Sequence, residues 1–116
     1  MIRKKDHTPI DIRPEMMGGK GQFVLEHILL TGQLHGHGRL FARGTLEPGH
    51  SVGYHVHNGD MEVCYFLSGT GTVVEEDGSR TRVGPGDCNI VESGHGHEVI
   101  NDGTEPLTYI ALILYT

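Results

Sequence analysis

Glycine or proline interrupts almost every stretch of this 116-residue chain that is long enough to hold an amphipathic helix. In a helix interior glycine costs about 1 kcal/mol relative to alanine, and proline about 3 kcal/mol. With 18 glycines and 5 prolines, what remains is short extended segments joined by tight turns. Alternating and β-branched runs predict strands over 22–30, 38–46, 52–57, 61–67, 71–76, 80–83, 87–91, 97–101 and 107–115. Turn sequences such as EPG, HNGD, LSGTG, GPGD and NDGTEP separate them. In EEDGSRTRV, Asp77 and Gly78 are expected to supply the positive backbone angles of a hairpin turn. Many short strands at near-regular spacing predict an all-β sandwich or barrel, and the length suits one domain. The last run, LTYIALILY, is apolar on both faces and belongs between two layers or at a subunit contact. Residues 1–21 are polar and Gly-rich. They read as an N-terminal arm before a barrel domain over 22–116.

Charge narrows the partners. Nine basic side chains against 15 acidic ones give a formal net charge of −6, which disfavours a nucleic-acid partner. The basic start, IRKKD, is followed by no long apolar stretch, and LTYIALILY falls short of the ~20 residues that span a bilayer. A cytoplasmic protein without a membrane partner is expected. Cys64 and Cys88 read as reduced thiols acting as small buried hydrophobes rather than as a bridge.

The nine histidines matter for where they cluster. In YHVHNGDMEV, His55 and His57 alternate along one strand and so share a face. NGD then turns the chain, and Glu62 near the start of the returning strand can point to that same side. Two imidazoles and a carboxylate from adjacent strands make the beginning of a metal ligand set, suited to a divalent ion such as Mn, Fe, Co, Ni or Zn. A fourth ligand is expected from ESGHGHEVIN. There His97 opens a strand and is held more firmly than His95 in the preceding loop. His50 and His95 flank the ligands, either at the pocket mouth as acid or base or exposed to solvent. LHGHG at 34–38 reads as a turn, and His27 as a satisfied surface or edge histidine.

These residues resemble the cupin family. Its first motif is matched by Gly49, His55, His57, Glu62 and Gly69, with every spacing met. Its second is matched by Gly86, Gly94, His97 and Asn101, with Glu92 where the family usually has proline. That exchange leaves a less stiff turn before His97 or places a solvated charge there. The resemblance spans about residues 38–115. It implies a cupin-type jelly-roll β-barrel with one divalent transition metal per chain held by His55, His57, Glu62 and His97. It also implies pairing into a homodimer through edge strands and the N-terminal arm.

Three neutral imidazoles, one carboxylate and a divalent ion leave a net charge of about +1 in a weakly screened pocket. Such a centre favours a small carboxylate, keto acid or diol bound through two oxygens. The family resemblance points to oxalate decarboxylase-like, dioxygenase or isomerase chemistry, with a non-catalytic small-molecule binding or sensing protein as the alternative. Oxalate decarboxylases of this type usually carry two cupin domains and an acidic lid residue, which this sequence does not offer. Candidate lining residues are Leu40, Phe41, Tyr54, Met61, Cys64, Phe66 and Val99. Arg39 and Arg43 read as solvated, so no arginine is assigned to an anion.

Overall fold

The computed structural model describes all residues 1–116. Ten strands form: β1 (Ile10–Pro14), β2 (Gln22–Leu29), β3 (Gly38–Leu46), β4 (Ser51–Val56), β5 (Asp60–Ser68), β6 (Gly71–Glu75), β7 (Arg80–Val83), β8 (Cys88–Val91), β9 (Gly96–Ile100) and β10 (Leu107–Tyr115). Helical structure is limited to three single 3₁₀ turns. The nine strands expected from the sequence are all present, with ends shifted by a residue at most. β1 is additional, and it lies within the arm.

The strands make two sheets. One has six strands in the order β1-β2-β3-β10-β5-β8, and the other has four in the order β4-β9-β6-β7. Every pairing is antiparallel. β10 lies inside the six-stranded sheet between β3 and β5, which explains its apolar character. Side chains alternate across each sheet. Leu25, Leu46, Phe66, Val73, Val99 and Leu107 are almost fully buried between the sheets and fill one end of the barrel. At the other end the inward positions turn polar.

Turns are set by local chemistry. In the β6–β7 hairpin only Gly78 takes a positive φ, while Asp77 accepts a bond from the Ser79 amide through its side chain. The expectation of two residues with positive angles is therefore corrected to one glycine plus an Asx-type turn. Glycine is required at Gly69, where φ is +78° and a side chain would strike the carbonyl of Pro106. Asn101 is fully buried. It donates to the carbonyls of Leu46 and Glu105 (2.8 Å each) and accepts from the Gly103 amide, so this motif residue ties down the β9–β10 connection.

β1 lacks the alternation of a half-buried strand, since Ile10, Asp11, Ile12 and Pro14 are exposed and only Arg13 is partly covered. His27 on β2 gives Asp11 its partner. It is buried, and its Nε2 lies 2.6 Å from Asp11 Oδ2. It is a satisfied inward histidine rather than the surface residue expected. After β1 the arm crosses the barrel and docks on β4. The Ser51 amide donates to the Lys20 carbonyl, the Lys20 amide to Ser51 Oγ, and Gly19 and Gly53 approach too closely for any side chain.

Candidate metal centre

β4 delivers His55 to the barrel interior and the residue just past its end, His57, follows it there, β5 delivers Glu62, and β9 delivers His97 directly opposite His55 in register. The four expected residues converge. One ligand-type atom from each lies within 4.8 Å of all the others, and this His/Glu group could hold a metal ion. Glu62 Oε1 is 2.7 Å from His97 Nε2, 3.3 Å from His57 Nε2 and 4.0 Å from His55 Nε2. His55 Nε2 and His97 Nε2 are 3.2 Å apart. Ligands about 2.1 Å from a common ion stand about 3 Å apart when adjacent, so the shorter separations match neighbouring coordination positions.

The remaining bonds fix which nitrogen faces the centre. His55 Nδ1 donates to the Gly53 carbonyl at 2.8 Å, His57 Nδ1 to Asp60 Oδ1 at 2.9 Å, and His97 Nδ1 to Asn89 Oδ1 at 2.7 Å. With Nδ1 protonated, each neutral ring presents a bare Nε2 lone pair inward. His57 Nε2 is buried and has no hydrogen-bond partner. Two facing lone pairs and an orphaned buried acceptor are unfavourable alone. A cation at their meeting point relieves both, and anchoring the outer ring nitrogen is how metal-bound histidines are held. The donor set therefore fits a divalent ion.

Electrostatics agree with the geometry. Burial pushes the Glu62 carboxyl up, but the adjacent His57 and His97 outweigh it and hold the group at about 2, so it is an anion at neutral pH. The Glu62 carboxylate raises His57, while burial lowers His55. Asp60, which anchors His57, is itself held by Arg39 Nε at 2.8 Å. Arg39–Asp60–His57 is thus one chain of charge-assisted bonds, and Arg39, exposed as expected, also has a carboxylate partner. Arg43 lies on the outer face near Glu26.

The cluster forms one wall of a cavity of about 120 Å³. That is far below the ~300–1,000 Å³ of drug-sized sites. Other lining residues include Arg13, Met16, Phe23, Leu40, Val99 and Tyr109. Leu40 and Val99 line it as expected. Phe41, Tyr54 and Met61 do not, because each is one residue out of phase with an inward neighbour. Cys64 and Phe66 share the face of Glu62 but lie in the core beneath. Cys88 is exposed on β8, which corrects its expected burial. His50 accepts from the Gln22 amide at the arm junction, and exposed His95 bonds Glu76; neither lines the cavity. Glu92 is exposed, and its turn is held by backbone bonds on both sides of His57, from His57 to His95 and from Gly94 to His57.

Sequence reading missed Asp60, Asn89, Arg13 and Tyr109. Counting by two from Glu62 would have put Asp60 on the inward face. The others depend on cross-strand register.

The model for the cupin domain matches residues 42–113, and the chain belongs to the cupin family. It is 38% identical over 114 residues to an oxalate-binding protein of Thermotoga maritima, covering 98% of this chain and 93% of the relative. The crystal structure of a predicted oxalate decarboxylase from Thermotoga maritima superposes with a TM-score of 0.93 at 34% identity over the whole of both chains. A polyketide cyclase of Streptomyces resistomycificus shares only the fold, at 17% identity and a TM-score of 0.77, over 99% of this chain and 80% of that one.

Proposed function

We propose that this protein binds one divalent transition metal ion (Mn, Fe, Co, Ni or Zn) through His55, His57, Glu62 and His97, and uses it to capture a small dicarboxylate of the oxalate class. The observation that carries the reading is the orientation of the three imidazoles. Each Nδ1 is bonded to a fixed oxygen, and each Nε2 is aimed at the Glu62 carboxylate. A bound divalent ion supplies Lewis-acid attraction for anionic oxygens, strengthened by the low local dielectric. The small cavity limits the ligand to a few heavy atoms. The oxalate-binding relative supports the same chemical class.

Binding without turnover is the favoured form. No carboxylate, lysine or histidine lines the cavity outside the four clustered residues, so no free side chain of those kinds is placed to move a proton. Metal-loaded protein incubated with oxalate, keto acids and diols should bind oxalate, by calorimetry, without CO₂ release or oxygen uptake. Sustained CO₂ release from oxalate would establish the enzymatic reading instead. We further propose a cytoplasmic homodimer. The outer face of the neighbouring strands β5 and β8 carries exposed Tyr65, Leu67 and Ile90, an apolar surface suited to a second copy. No helix is long and apolar enough to cross a membrane. A monomeric mass by light scattering at micromolar concentration would refute the dimer.

A further inference from the structure

The wall of the cavity away from the cluster contains two polar groups with no close protein partner. Tyr109 is 2% exposed and lines the cavity. Its ring is fixed between Phe23 (centroids 5.6 Å) and Phe66 (5.1 Å). Its hydroxyl takes part in no hydrogen bond with the protein, although buried tyrosine hydroxyls are normally paired. The hydroxyl is also not sealed in the core, since His57 Nε2 is the one fully enclosed side-chain polar atom left without a partner. Arg13 pairs in register with Phe23, the ring that stacks on Tyr109. Its guanidinium has only a distant carboxylate, Asp11 Oδ2 at 3.7 Å, and that oxygen is engaged by His27 at 2.6 Å. Arg39, the other arginine at the cavity, is neutralised by Asp60 at 2.8 Å. Arg13 is therefore the more loosely held of the two cations.

We infer that Tyr109 and Arg13 form a second subsite that binds the far oxygens of a dicarboxylate whose near oxygens face the histidine cluster, and so select dianions over monoanions. This rests on the proposed metal-dependent binding of small dicarboxylates. Charge supports it. A divalent ion among three neutral histidines and one carboxylate carries a net +1, and the Arg13 guanidinium sets a second positive group at the cavity, only loosely offset by Asp11 at 3.7 Å. Shape supports it too. The rest of the lining is largely apolar, so oxygens turned away from the cluster find few donors besides these. Burial holds the Tyr109 hydroxyl in its protonated, donating form, while Arg13 on β1 lines the cavity and is partly exposed.

The test is calorimetric titration of Mn²⁺-loaded protein with oxalate and with acetate, for wild type, Tyr109→Phe and Arg13→Gln. Metal content and thermal melting are measured in parallel. Tyr109→Phe keeps the ring and its stacking, and Arg13→Gln keeps the backbone pairing of β1. Each should weaken oxalate binding about 10-fold or more, the loss expected for one hydrogen bond to a charged group. Metal content and acetate affinity should change less than about 2-fold, narrowing the oxalate-to-acetate preference. Wild-type oxalate affinity in both variants would overturn the subsite and leave the proposed function standing. Metal-loaded wild type that binds neither anion would overturn both.

Discussion

At the cluster end of the cavity the outer nitrogen of every histidine has a committed partner. The three Nδ1 atoms bond to Gly53, Asp60 and Asn89, and Asp60 is gripped in turn by Arg39. At the opposite end Tyr109 and Arg13 are held in place by ring stacking and by strand pairing, with their donors left unspent. The first arrangement fixes the donor atoms, so that under the proposed function an ion would meet a preformed site. The second leaves donors for whatever enters. A rigid ion-holding wall facing a wall that reads the ligand is what selective capture of a small anion requires, since reorganisation is avoided at one end and discrimination is supplied at the other.

The contrast can be broken most severely at the cluster. His57→Ala and His97→Ala should each lower metal affinity at least about 100-fold. A β-rich circular dichroism spectrum should survive, because the thirteen-residue apolar core contains none of these histidines. Loss of the fold together with the metal would show that the two ends are not separable.

Next in size are the anchors. Asp60→Ala leaves His57 Nδ1 without its acceptor, and Asn89→Ala does the same to His97. Each should cost about 10- to 100-fold in metal affinity, measured by competition with a chelator. Unchanged affinity would mean that ring orientation is fixed by packing alone.

The smallest effect concerns acid. Burial pushes the Asp60 carboxyl up, but Arg39 and His57 outweigh burial and hold it below its ordinary 3.8. A carboxylate with a depressed pKa contributes stability that is present above its ordinary range and lost as pH falls through the depressed value. For chelator-treated protein, wild type should melt above Asp60→Ala at neutral pH, and the gap should close below about pH 4. A gap that persists into strong acid would remove Arg39–Asp60–His57 as a working ion-pair chain.

Much of this was readable in the chain because it depends on short spacings. His55 and His57 share a face through the strand period, HNGD turns β4 into β5, and Glu62 follows within reach. The motif glycines Gly49, Gly69, Gly86 and Gly94 all prove to have positive φ, so their spacing carried backbone information. What stayed hidden was set by register between distant strands. Asn89 is an anchor because β8 pairs with β5, and Tyr109 reaches the cavity because β10 sits between β3 and β5. β1 was obscured because it is exposed almost throughout, so no apolar alternation marks it, and the Asp11–His27 contact that ties it to β2 depends on register. Phe41, Tyr54 and Met61 were assigned to the lining on chemical character, where parity along the strand would have excluded them.

The most direct test is elemental analysis of wild-type protein grown in metal-replete medium and purified without chelator. About one divalent transition metal ion per chain is predicted, displaced when the histidines are protonated at low pH. A chain that emerges folded and metal-free, and stays so after incubation with excess Mn²⁺, Fe²⁺, Co²⁺, Ni²⁺ or Zn²⁺, would contradict the account.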